Sequence, residues 1–162
     1  MTGADFGAIL ERLASHEVDF IVIGGLAASL HGSAYVTQDV DICYGRSESS
    51  IERLCRSLTG LHPALRGAPE GLPFRFDPQT VKAGLSFTLS TDLGPLDLLG
   101  EVSPFGGFDL LKPHAVEMIL VGHAVLVLSL PALIQTKRAA GRPKDLLVVP
   151  ELEALLELSK KG

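Results

Sequence analysis

Three aspartates and a pair of glycines are the residues of this chain whose types and spacing could do chemistry. Asp39 and Asp41 stand two positions apart in TQDVDICY, and Asp97 lies in PLDLLGEV, which is otherwise mostly apolar. Side chains alternate along a strand, so Asp39 and Asp41 share one face while Val40 and Ile42 supply the other. Adjacent carboxylates repel one another, and an acid in an apolar strand needs a partner; a cation answers both demands. Magnesium is held by one or two carboxylates together with substrate phosphates. Gly24-Gly25 ends the apolar run FIVI and leads into the small-residue stretch LAASL. That corner presents free backbone N–H groups at a helix start, a ready anion site. Acids for a metal and amides for phosphate are the parts of metal-assisted nucleotidyl transfer.

The remaining candidates are weaker. Lys137 falls three, four and seven positions after Ile134, Leu133 and Leu130, on the apolar stripe of a predicted helix. It either extends outward to solvent or reaches the phosphates, and the pattern leaves both open. The cluster Lys137, Arg138, Arg142 and Lys144 reads as a solvated helix end or as a surface for an acceptor RNA backbone. His31 reads as a packed or capping residue, and His16, His62, His114 and His123 lack the spacing of zinc ligands. Cys43 and Cys55 read as small buried hydrophobes, not a disulfide scaffold.

These residues must be positioned by an α/β domain with a mixed sheet. Helices are expected over Asp5–His16, from the spacing of Phe6, Ile9, Leu10 and Leu13, and over Leu26–Leu30. A third covers the segment after Gly45, with a capping box from Ser49 to Glu52. Strands are expected over Val18–Ile23, Asp39–Tyr44, Leu85–Ser90 and Pro95–Leu99, the last two forming a hairpin. His62–Thr80 is rich in Pro and Gly and reads as loop, and Ser103–Pro113 as a connection. Val116–Leu120 and Ala124–Leu128 form a second hairpin. Ser129 caps a helix over Leu130–Ala140 that Gly141 and Pro143 stop, and a last helix over Pro150–Ser159 buries Leu152, Leu155 and Leu156.

At 162 residues the expectation is a single domain, residues 1–162, with a core of about 18–147 and a C-terminal helix over 150–159. The apolar fraction is 46%, yet no run of roughly 18 apolar residues exists to span a membrane. The start MTGADFGAIL lacks a signal-peptide pattern, so a cytoplasmic location and no membrane partner are expected. A net charge of −5 provides no broad footprint for nucleic acid. Walker-type, Rossmann-type and nucleophile-elbow glycine motifs are absent, which lowers the rival enzyme classes.

At the glycine corner and the three acids the chain resembles the nucleotidyltransferase superfamily typified by DNA polymerase β. The shared pattern is Gly24-Gly25, thirteen intervening residues, Asp39-Val40-Asp41, and Asp97 on a later strand. More narrowly, GGLAASLHG, TQDVDI and LIQTKRAAGRPKDL resemble the small prokaryotic group that includes AbiEii-type toxins and minimal nucleotidyltransferases. The resemblance runs from Phe20 to Leu147 and implies the nucleotidyltransferase fold. It further implies two Mg²⁺ ions, or Mn²⁺ in their place, bound by Asp39 and Asp41, with Asp97 holding one and serving as general base. Gly24 and Gly25 would hold a nucleoside triphosphate, ATP among the candidates, and Lys137 would neutralise its charge. Asp145 takes the place of a motif acid in related toxins; alternatively it orients Lys137 or caps the next helix.

Two departures stand out. Many relatives carry Arg where this chain has Tyr35, and Ser where it has Gly25. The implied activity is transfer of a nucleoside monophosphate to a hydroxyl on RNA, such as tRNA, or on a partner protein, within a toxin–antitoxin pair. The alternative is a catalytically degenerate binding module of the same fold, an antitoxin or regulatory subunit.

Overall fold

The computed structural model describes residues 3–69 and 71–161. α1 (Phe6–Ser15) starts at Asp5, whose carboxylate accepts from the Ala8 N–H, and it buries Ile9, Leu10 and Leu13 as their spacing dictates. β1 (Phe20–Ile23) is four apolar residues, all buried, so both of its faces are covered. α2 (Gly24–Leu30) begins on the first glycine, and its small residues Ala27 and Ala28 pack closely in the core. β2 (Val40–Tyr44) follows, then α3 (Glu48–Ser57), β3 (Ala64–Leu65), α4 (Pro78–Ala83), β4 (Phe87–Thr91) and β5 (Gly94–Leu99). α5 (Phe108–Leu111) and a 3₁₀ turn at Lys112–His114 lead into the hairpin of β6 (Ala115–Leu120) and β7 (His123–Leu128). α6 (Leu130–Ala140) and α7 (Pro143–Lys161) close the chain.

Among the described residues seven strands form one sheet in the order β3-β4-β5-β2-β1-β7-β6. It is mixed: β1 runs antiparallel to β2 and parallel to β7, and β2 runs parallel to β5. The helices fall into two contacting groups, α1 with α3 and α4, and α2 with α6 and α7. Val40 and Ile42 are fully buried in β2, which leaves the alternate positions to Asp41 and its neighbours.

Several expectations need correction. The cap of α3 is Ser47, whose hydroxyl accepts from the Ser50 N–H; Ser49 lies inside the helix, so no capping box forms with Glu52. The stretch His62–Thr80 is not all loop, since it contains β3 and the start of α4, the latter capped by Asp77 with Pro78 in its first turn. Ser103–Pro113 likewise carries α5. Asp39 sits one residue before β2, and β1 starts at Phe20, not Val18. β4 starts at Phe87, not Leu85.

The last helix is longer than Pro150–Ser159. Pro143 does not block it, because a proline in the first turn has no intrahelical N–H bond to lose. Pro150 is carried on the exposed side of α7, where water can reach the carbonyl it leaves unpaired. Leu152 is buried, whereas Leu155 and Leu156 are only partly so. Around α6 the expectation holds at both ends: Ser129 caps its start and Gly141, at φ 67°, its end.

Candidate active site

Strand register assembles the site. Ile23, the last residue of β1, pairs with Asp41 of β2, and Asp41 pairs in turn with Asp97 of β5. Three adjacent strands therefore set the Gly24 corner, Asp41 and Asp97 abreast at one end of the sheet. Directly paired residues of neighbouring strands point to the same face, so the two carboxylates meet there. Asp39, two positions before Asp41, joins them. One carboxylate oxygen from each of the three lies within 4.8 Å of the others.

Three carboxylates this close are costly to hold unless cations share them. Burial, then the negative charges of Asp97 and Asp39, push the Asp41 carboxyl up to about 7, with Lys137 opposing the rise. Among the described residues Asp41 Oδ1 is buried without a hydrogen-bond partner, although buried polar atoms are nearly always satisfied. Three carboxylates, an orphaned buried oxygen among them, and a strongly raised pKa fit a hard divalent cation with oxygen ligands. Asp39, Asp41 and Asp97 are the residues that could hold it.

The glycine corner fits closely around the same group. Gly24 has φ +64°, a conformation that glycine adopts freely, and a Cβ placed there would overlap Asp41 Oδ2. At Gly25 a Cβ would lie 2.7 Å from Thr37 Oγ1 and 2.8 Å from Thr37 Cβ. Thr37 thus fills the space over Gly25, and its hydroxyl donates to the Asp39 carbonyl at 3.2 Å. A side chain at position 25 would require Thr37 to shift.

Lys137 of α6 stands between two cavities of about 390 Å³ each. One is lined by Gly25, Tyr35, Thr37 and all three acids, the other by Gly24, Asp41, Glu101 and Thr136. Lys137, Arg142 and Asp145 line both. Lys137 therefore does reach the site. Asp145, in the first turn of α7, is 3% exposed and binds the Arg142 guanidinium through both oxygens, at 2.6 and 3.2 Å. The bond from Arg142 holds its carboxyl below the usual range, and Lys137 Nζ lies 3.7 Å away. Arg142 is paired with Asp145 and Arg138 with Glu153 at 2.9 Å, both guanidinium groups staying more than half exposed. Tyr35, about half exposed, lines the cavity that holds the three acids.

Three residues at the site escape a reading of the sequence. Arg66, immediately after β3, donates from Nη2 to Asp97 Oδ1 at 2.6 Å and lies 3.8 Å from Asp39 Oδ2. It falls in the aperiodic Pro/Gly-rich stretch, and a two-residue strand leaves no pattern to read. Glu151 of α7 accepts from the Ser33 hydroxyl and, at 2.8 Å, from the Ala34 N–H, tying down the segment that leads to Tyr35 and Thr37. Thr37 is the third. His31 caps α2 and contacts the Leu128 carbonyl at 2.8 Å, in keeping with a packing role. Cys43 is buried, which raises its thiol to about 12, and both cysteines are free. Among the described residues the three aspartates are the one group of acids, histidines or cysteines placed to share a metal. No described helix is long and apolar enough to cross a membrane.

No protein-family model and no curated protein matches the chain. Among solved structures it is similar to a candidate nucleotidyltransferase from Thermotoga maritima, with 18% sequence identity and a TM-score of 0.54. The likeness covers 95% of this chain and 89% of that one. At that identity the likeness shows the fold alone, which in this chain is a mixed seven-stranded sheet flanked by helices.

Proposed function

We propose that this protein is a divalent-metal-dependent nucleotidyltransferase, moving a nucleoside monophosphate from a triphosphate to an acceptor hydroxyl. The observation that carries the reading is the convergence of Asp39, Asp41 and Asp97 around an unpartnered buried oxygen beside the Gly24 corner. A bound Mg²⁺ or Mn²⁺ pair would supply charge neutralisation at the attacking and leaving oxygens. The chain's own residues do the rest. Backbone N–H groups at Gly24 and Gly25 would donate to triphosphate oxygens, and Lys137, between the two cavities, would offset phosphate charge. Asp97 would accept the proton of the acceptor hydroxyl, and two adjoining cavities offer separate room for donor and acceptor. Asp145 keeps Lys137 oriented toward that boundary.

RNA, including tRNA, or a partner protein is the acceptor class, and the AbiEii-type resemblance supports a toxin–antitoxin setting in the cytoplasm. Incubation with each radiolabelled triphosphate and Mg²⁺ or Mn²⁺ in lysate should place label on RNA or protein. Asp39→Asn and Asp97→Asn should abolish transfer while leaving the circular dichroism spectrum unchanged; unaltered transfer by either variant would discard the assignment.

A specific observation favours a second reading, a degenerate binding module. Arg66 already neutralises part of the acid cluster, and Tyr35 stands where a cation is expected. A ligand bound only by the native state raises its melting temperature. A shift with Mg²⁺ plus a triphosphate supports the enzyme, and no shift with any of the four supports the module.

A further inference from the structure

We infer that Arg66 is an internal cation that competes with the divalent metal for Asp97 and Asp39, so that the cluster takes up metal as the guanidinium leaves. The inference rests on the metal-dependent reading above. Arg66 is not among the residues lining either cavity, but the two acids it touches, Asp97 and Asp39, line one of them. Its backbone is fixed, the N–H donating to the Thr88 carbonyl at 2.9 Å, and Nη1 donates to the Leu89 carbonyl at 2.8 Å. From that anchor Nη2 reaches Asp97 and Asp39, two of the three acids that could hold a metal.

The pairing is incomplete in a way that points to exchange. Asp97 and Asp39 are partly exposed, at 22% and 39%, so their pairing with Arg66 is solvent-accessible and weakly held. Here Asp41 Oδ1 keeps no partner while Arg66 serves its neighbours. One guanidinium stands at the edge of a cluster of three carboxylates and cannot satisfy all of them. The Arg66 side chain is also 30% exposed, and its departure to water breaks the Nη1 bond to the Leu89 carbonyl while the backbone bond to Thr88 can remain. A dication among the acids and a guanidinium on Asp97 would repel, and binding of one disfavours the other.

Isothermal titration with MnCl₂, without nucleotide, tests this on the wild type, Arg66→Ala and Arg66→Met, the methionine keeping an unbranched side chain. Loss of a charged hydrogen bond that metal must otherwise break should tighten Mn²⁺ binding by about tenfold in both variants. Equal affinity in all three proteins, or weaker binding in the variants, overturns the competition and leaves the metal reading standing. No Mn²⁺ binding by any folded form overturns both. A measurement on the wild type needs no variant: the Arg66 Nε–H signal in a nitrogen–proton spectrum should move as Mg²⁺ is added. A signal unmoved at saturating Mg²⁺ overturns the inference.

Discussion

Asp41→Asn should stabilise the metal-free protein at neutral pH, although it removes a candidate ligand. The Asp41 carboxyl is raised from 3.8 to about 7, led by burial and reinforced by Asp97 and Asp39. At about 1.4 kcal/mol per pH unit, that displacement corresponds to at most roughly 4 kcal/mol. Side-chain relaxation and water entry reduce it, and about 1–3 kcal/mol is the expected gain. The sign follows from linkage: the folded state holds this proton more tightly than the unfolded chain, so stability falls as pH rises from about 4 to about 7 and then levels off. Asparagine carries no charge and escapes that fall. For a domain of this size the gain is about 2–10 °C in melting temperature at pH 7.5 in EDTA, shrinking toward zero near pH 4. Mg²⁺ should raise the melting point of the wild type and not of Asp41→Asn. A variant no more stable than wild type at pH 7.5, or equally stabilised at pH 4 and 7.5, would refute the argument.

Two other perturbations test the scaffold. Gly24→Ala places a methyl against Asp41 in a left-handed backbone conformation, and about 2 kcal/mol or more of stability should be lost, read as a lower denaturant midpoint. An unchanged midpoint would show that the corner is roomier than the structure indicates. Glu151→Ala should cost about 1 kcal/mol and speed hydrogen exchange at the Ala34 N–H, with little effect on the α1 amides; unaltered exchange at Ala34 would remove Glu151 as the anchor of that loop.

The parts of this site that a sequence can reveal are those with a strong local signature. The alternation around Val40 and Ile42 exposes Asp39 and Asp41 as a pair, and an acid within PLDLL singles out Asp97. Ser129, Pro131 and Gly141 mark both ends of α6, because caps and first-turn prolines have a stereochemical reason that acts over a few residues. What the chain does not display locally is long-range pairing. Arg66 reaches Asp97 through β4, 31 positions away in sequence, from a strand two residues long. Thr37 over Gly25 and Glu151 on Ala34 are likewise products of tertiary placement. Pro143 and Pro150 mislead in the opposite direction: proline stops helices on average, yet a first-turn position and an exposed position each tolerate it. Ser49 and Glu52 have the spacing of a capping box, but Ser47 reaches the helix start first.

The central claim is that Asp39, Asp41 and Asp97 together hold divalent metal beside the glycine corner. Anomalous diffraction from crystals grown with Mn²⁺ and a non-hydrolysable nucleoside triphosphate analogue tests it most directly. The account predicts an anomalous peak within bonding distance of all three carboxylates, with phosphate oxygens against Gly24 and Gly25 and Arg66 turned away from Asp97. Crystals with no peak at these aspartates, or with Arg66 still on Asp97 and the nucleotide elsewhere, would contradict it.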